Sequence, residues 1–404
     1  MPEPSMNHRS SSAQARRAPG ALRPLAAALL CLGLGAAVAQ TLPQGGVVLG
    51  GNVSIPTPTG TQMTINQLTP RGIVQWQDFS IGTGFSVNVV QPSATSVLLN
   101  RVSNGPPSLI NGALSANGRV FVVNPAGVLF GAGSQVNVGG LVASALAMST
   151  SDADFMAGTE QFSFVQGTER GLVQNAGQLT ATNGGTIGLI GTDVFNSGTI
   201  TAPGGSALLA AGQTVTLDFG GDGLTRVTLV AGTDGTSRSI SQNGTVQADG
   251  GRIALQAAGG AATLEHSGLL QANSLAVRNG EVLLEATATS PRGPEGGGGA
   301  TILVEGGTVL ARGEQAGLTG GTVGILADQI SISDGARIDA SGSAGGGSML
   351  ISSPVAQAGD PLSGAAYVGP DATLAADALV QGRGGMVWLN AARTLRAYGS
   401  LSAR

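Results

Sequence analysis

Two pairs of closely spaced carboxylates, Asp152 with Asp154 and Asp218 with Asp222, are the side chains in this sequence best placed to do chemistry. Such a pair can serve a glycosidase or lyase as acid and base. The stretch Asp218-Phe219-Gly220-Gly221-Asp222-Gly223 carries the Asp and Gly of a calcium-binding turn, but lacks the oxygen-rich spacing of a dedicated calcium loop. Other reactive types are scarce. All 19 basic residues are Arg, the single Cys is Cys31, and the two His, His8 and His266, are far apart. This composition removes lysine Schiff bases, thiol nucleophiles, His-based triads and His-rich metal sites. No Gly-rich stretch opens a helix to cradle a phosphate. The expectation is a protein that is not an enzyme and holds no cofactor or metal. A β-helical polysaccharide-degrading enzyme is the alternative, and it requires an acidic cleft on one face.

The elements that must carry these residues are regular and small-residued. Of 404 residues 67 are Gly, 42% are hydrophobic, and only 3% are aromatic and 10% charged, so burial must rely on Val, Leu, Ile and Ala. Paired glycines precede short apolar strands: Gly184-Gly185 then TIGLI, Gly204-Gly205 then SALLA, Gly250-Gly251 then RIALQ, Gly320-Gly321 then TVGIL, Gly346-Gly347 then SMLIS, and Gly384-Gly385 then MVWLN. In each, the second and fourth residues after the pair are apolar, as in Ile253 and Leu255, Val323 and Ile325, or Val387 and Leu389. That period of two is a strand with one face inward. A second unit, N-x-G-x-[LIV]-x-A, runs from Asn175 to Ala181 and from Asn196 to Ala202, with variants at Asn243 to Ala248 and His266 to Ala272. His266 takes the Asn position there, which marks it as a turn residue rather than a ligand.

Repeated strands separated by Gly, Asn and Asp turns predict an all-β parallel β-helix, a solenoid in which each coil stacks its inward residues on those below. The corners call for positive φ or Asx turns. Ten of the thirteen aromatic residues, Trp76 to Phe219, precede residue 220, and the aromatic-rich segment from about 40 to 170 is expected to cover the N-terminal end of the stack. Thr289 to Ala300, TSPRGPEGGGGA, reads as a loop inserted into the shaft.

The first 39 residues have the layout of a secretory signal peptide. Arg9, Arg16, Arg17 and Arg23 precede an apolar run from Leu25 to Leu34, and Ala37-Val38-Ala39 forms a cleavage site before Gln40. The run is too short for a permanent span. Cleavage removes Cys31, leaving a chain without any cysteine, and takes four Arg and one Glu with it, so the net charge moves from -4 to -7. Such a charge makes no electrostatic case for nucleic acid.

At VFVVNPAGVLFGAGSQVNVGGLVASAL, Val120 to Leu146, the sequence resembles the secretion domain of two-partner secretion exoproteins, the filamentous haemagglutinin and high-molecular-weight adhesin family. Supporting stretches lie at Val74 to Val102, Asp152 to Phe164 and Val215 to Leu224. The resemblance implies a right-handed parallel β-helix with an N-terminal cap and an adhesin-like role at the surface of a Gram-negative bacterium. It also implies three kinds of partner: the Sec machinery, an outer-membrane β-barrel transporter, and a host-cell glycan or protein receptor. The family's N-P-N-G-[IV] motif falls on Asn124, Pro125, Ala126, Gly127 and Val128, with Ala126 in place of the usual Asn. A second motif of some members, N-P-N-L, has no clear counterpart, and Asn104-Gly105-Pro106-Pro107 stands in that region.

The expected layout is a signal peptide at 1–39, a cap and the start of the secretion domain at 40–170, the rest of that domain at 171–288, the loop at 289–300, and further coils at 301–404. The chain is expected to be the front of a longer exoprotein or a truncated version of one. An autotransporter passenger is a second alternative, although no amphipathic barrel strands stand at the end of the sequence.

Overall fold

The computed structural model describes residues 42–404 except 222, 233, 291–298 and 355–362. The signal segment with Cys31, Ala37, Ala39 and Gln40, most of the Gly/Pro-rich loop, and Asp222 lie outside the described residues.

Short strands follow one another around three faces, and each pairs with its counterpart one coil away. The faces hold 12, 10 and 13 strands among the described residues. On the 12-stranded face the register runs Ile187, Ala207, Ile253, Val282, Val323, Met349 and Val387, every step parallel. Leu189, Leu209, Leu255, Leu284, Ile325, Ile351 and Leu389 form the neighbouring inward row. Ile253, Leu255, Val323 and Ile325 are fully buried, whereas Val387 and Leu389, in the last coil of the chain, are half-buried against the same core. The protein is therefore a parallel β-helix. Its interior is one continuous apolar column from Leu42 to Leu374.

Among the described residues, antiparallel strand pairing on the three faces is confined to the N-terminal end. Val47–Gly50 runs antiparallel to Arg71–Trp76, and Val53–Ser54 to Gln62–Gln67. These two short strands cap the stack.

Close stacking explains the glycine spacing better than turn conformation does. The first glycine of three pairs has positive φ: Gly184 at 78°, Gly204 at 62° and Gly250 at 69°. The second does not. A Cβ on Gly205 or Gly251 would instead run into the main-chain carbonyl of Gly185 or Gly205 in the adjacent coil. The second glycines thus form a column where the backbones of successive coils approach too closely for any side chain.

The N-x-G unit builds a second column. Asn175, Asn196, Gln242 and His266 lie in one register and are all buried. Asn175 Nδ2 donates to Asn196 Oδ1 at 2.8 Å, and Asn196 Nδ2 to Gln242 Oε1 at 2.7 Å. This register corrects the repeat alignment, since Gln242 rather than Asn243 occupies the Asn position. His266 ends the ladder, and apolar Phe130 and Val304 stand on either side of the four polar residues.

A four-stranded antiparallel side sheet, Ala147–Met148, Gln161–Val165, Thr214–Asp218 and Arg226–Val230, lies against the outer surface of the 12-stranded face, with the helix Asp152–Ala157 beside it. Phe155, Phe162, Phe164, Val215 and Leu217 form a second core with outward-pointing Leu99, Phe121, Val142 and Leu208. Strands such as Thr186–Gly191 and Ser206–Ala211 are consequently buried on both faces. Most of the early aromatics serve this side core or, like Trp76 and Phe79, the helix interior. End covering belongs to the short segment around Val47–Ser54.

Candidate functional site

The motif Asn124 to Val128 forms the corner between the strands Arg119–Val123 and Val128–Phe130. Asn124 makes a turn with its own backbone. Gly127 N donates to Asn124 O at 2.9 Å, and Ala126 N to Asn124 Oδ1 at 3.1 Å. Gly127 has a φ of 126°, and a Cβ there would approach Leu172 O, so glycine suits both the turn and the neighbouring coil. Val128 points into the core, paired with Ser108 on one side and Val173 on the other.

The Asn124 side chain is 1% exposed and faces inward. Its Nδ2 donates to Pro106 O at 2.8 Å and to Ser108 Oγ at 3.0 Å. Ser108 N returns a bond to Gly127 O at 2.9 Å. The segment Asn104 to Pro107, singled out for lacking a second motif, is thereby tied directly to the first. Asn104 itself sits at a φ of 59°, a conformation that Asn tolerates better than most side chains.

Pro125 and Ala126 are the half-exposed part of the motif. With Asn104, Gly105, Thr168 and Glu169 they line a surface cavity of about 230 Å³. The arrangement offers main-chain groups, the small apolar side chains of Pro125 and Ala126, the Asn104 amide, the Thr168 hydroxyl and the Glu169 carboxylate.

Of the four carboxylates singled out for catalysis, Asp152, Asp154 and Asp218 have structural duties, and Asp222 lies outside the described residues. Arg101 binds Asp152 through both guanidinium ends, at 2.9 and 3.0 Å. Asp154 accepts the hydroxyl of the helix N-cap Ser151 at 2.6 Å. Asp218 accepts from Gly220 N at 2.8 Å and from Gln161 Nε2 at 3.1 Å, which ties two strands of the side sheet together. His266 has Nδ1 3.3 Å from Gln242 O and Nε2 3.2 Å from Thr308 O. Burial pushes its pKa below the ordinary imidazole value. Among the described residues no group of three or more His, Cys, Asp or Glu could hold a metal ion.

Sequence reasoning missed the charges that fasten the side sheet. Glu160 bridges buried Arg71 at 2.9 Å and Arg119 at 3.1 Å. The Arg71 guanidinium also lies over Phe155 and Phe162, at 5.3 and 5.4 Å from the ring centres. No local signal marks these residues, because the partners meet across 41 to 89 positions of sequence.

Comparison with known proteins places this geometry. The chain is similar to the heme/hemopexin-binding protein of Haemophilus influenzae, 34% identical over 260 residues that cover 62% of this chain and 28% of the relative. A second protein of that name from the same species is 40% identical over 112 residues, covering 27% of this chain and 12% of the relative. The chain thus spans under a third of the length of these relatives. In fold it is similar to the crystal structure of the HMW1 secretion domain from Haemophilus influenzae, with a TM-score of 0.63 and 22% identity, covering 89% of this chain and all of that one. Residues 39–300, which hold the corner, the polar ladder and the whole side sheet, match the TPS secretion domain family. The chain belongs to that family, as the secretion domain of a two-partner secreted protein with further coils behind it.

Proposed function

We propose that the chain is taken to the periplasm by the Sec machinery and loses its signal after Ala39. A cognate outer-membrane β-barrel transporter of the two-partner type then recognises it and exports it to the surface of a Gram-negative cell. The observation that carries this reading is the family match, which begins at residue 39, beside the expected cleavage site, and runs through the corner at Asn124 to Val128. Within the corner, Asn124, Gly127 and Val128 hold the turn, while Pro125 and Ala126 present it.

Folding outside the cell favours one direction of travel. Each new coil buries its Ile, Leu and Val on the coil before it, worth about 25 cal/mol per Å² of apolar surface, and a folded coil cannot slip back. At the surface the role is adhesin-like, toward a host-cell glycan or protein receptor. The names of the two relatives make a host protein such as hemopexin the first ligand to try. Heme itself does not fit His266, which is buried with both ring nitrogens facing main-chain carbonyls.

The test is export with the cognate transporter present. Ala126→Arg changes only the presented part of the corner. It is expected to lower the amount of chain in the medium several-fold while the purified protein keeps its melting temperature. Unchanged export would remove the corner from recognition. N-terminal sequencing of exported material should begin at Gln40.

A further inference from the structure

The side sheet stops while the surface it covers continues. Its last strand, Arg226–Val230, pairs with Thr214–Asp218 on one side and, among the described residues, has no strand on the other. Val227 and Leu229 turn toward the 12-stranded face and pack, half-buried, at the margin of the second core. The outward row under the sheet includes Leu99, Phe121, Val142 and Leu208. One register position further along the stack it becomes Ala254, then Leu283, Gly324, Leu350 and Trp388. Ala254 is buried, Leu283 half-buried, Leu350 38% exposed and Trp388 58% exposed. The buried interface therefore runs out from under its cover.

Two adjoining cavities, about 230 and 210 Å³, fill the step between the free strand and this surface. They share Val227, Thr228 and Gln256, and their far wall is the strand Glu281–Ala288. Strands in a sheet lie about 4.8 Å apart, both in the side sheet and from coil to coil. A fifth strand added beside Arg226–Val230 would accordingly come to rest over Leu283.

We propose that this groove is a strand-acceptor site, which takes an extended segment of another polypeptide as the fifth strand of the side sheet. Main-chain groups along Val227 to Val230 supply the pairing, and Leu283 supplies an apolar floor. The floor also sets the chemistry of the guest. Glu281 and Glu285 flank Leu283 on the outward face of their strand; Glu281 is neutralised by Arg252, whereas Glu285 accepts from the uncharged Gln256 amide, so the carboxylate open to a guest is that of Glu285. The groove accordingly fits a strand whose floor-facing side, every second residue, carries an apolar side chain over Leu283 and an Arg or Lys two positions away toward Glu285. This site is separate from the corner at Asn124 and does not depend on the export reading.

The test uses the purified chain and a fluorescent peptide of about six residues, an ordinary strand length, with two Val and one Arg at alternate positions and Thr between them. Two further peptides carry N-methyl groups, one on the odd and one on the even residues. The expected result is saturable binding of the parent peptide. One methylated form should bind equally well and the other about tenfold or more weaker, since only one edge of a paired strand faces its neighbour. Leu283→Glu should abolish binding with an unchanged melting temperature, and Val227→Glu serves if that variant does not fold. No saturable binding up to ~1 mM, equal binding of both methylated forms, or full binding by the folded variant would overturn the proposal. A concentration-dependent dimer that Leu283→Glu dissolves would give the edge to a second copy of the chain, and would equally overturn it.

Discussion

Asn124 directs both amide hydrogens and its oxygen to partners inside the protein, so its contacts account for a corner that holds its shape rather than a side chain offered to a partner. Asn124→Ala leaves Ser108 Oγ, Pro106 O and Ala126 N without that partner, and should cost about 2 kcal/mol or more, seen as a lower midpoint in urea unfolding. Asn124→Asp should cost more, since a carboxylate cannot donate to Pro106 O. The residue was legible as a motif member, but the inward aim of its side chain was not. Its partners lie 16 and 18 residues upstream and meet it only through coil stacking. His266 behaves similarly, since its repeat position was readable while the buried ladder above it was not. Because burial lowers its folded pKa, the unfolded chain takes up a proton first as the pH falls through the unperturbed value of 6.5. The His266 contribution to stability is therefore constant above that value and declines below it. His266→Gln, which repeats Gln242, should flatten this part of the pH profile of the melting temperature relative to the parent chain.

Among the elements, the coils were legible and the side sheet was not. A period of two with a glycine pair at each corner is local information, available within ten residues. The pairing of Gln161–Val165 with Thr214–Asp218 reaches across two whole coils of chain and leaves one faint mark, the unbroken apolar run ALLAA at Ala207 to Ala211, where a strand exposed on one side would alternate. Phe162 is the centre of that second core, packed edge-on to Phe121 and Phe219 at 5.0 and 5.6 Å. Phe162→Ala should destabilise the protein by about 3–5 kcal/mol, measured by chemical unfolding. The glycine pair makes a sharper test of stacking. Gly250→Ala places a Cβ at positive φ beside the movable Leu275 side chain and should cost about 1–2 kcal/mol. Gly251→Ala drives a Cβ into the backbone of the preceding coil and should cost at least about 3 kcal/mol. Equal effects at the two positions would mean that turn conformation, not close approach, sets the spacing.

On the scale of the whole molecule, a cysteine-free stack of coils closed at one end by antiparallel strands suits a chain that crosses a membrane unfolded and then folds in order from its N-terminus. Its stability is the sum of many similar coil contacts, so no single bond has to survive the passage. That economy of design was readable from composition, whereas the site where another strand can join depends on where the side sheet happens to end. Export itself is decided by one measurement: the amount of mature chain, beginning at Gln40, in the medium of cells that express it with or without the cognate outer-membrane barrel. The expected result is release only when the barrel is present, with the chain held in the periplasm and degraded in its absence. Equal release without the barrel would contradict the account.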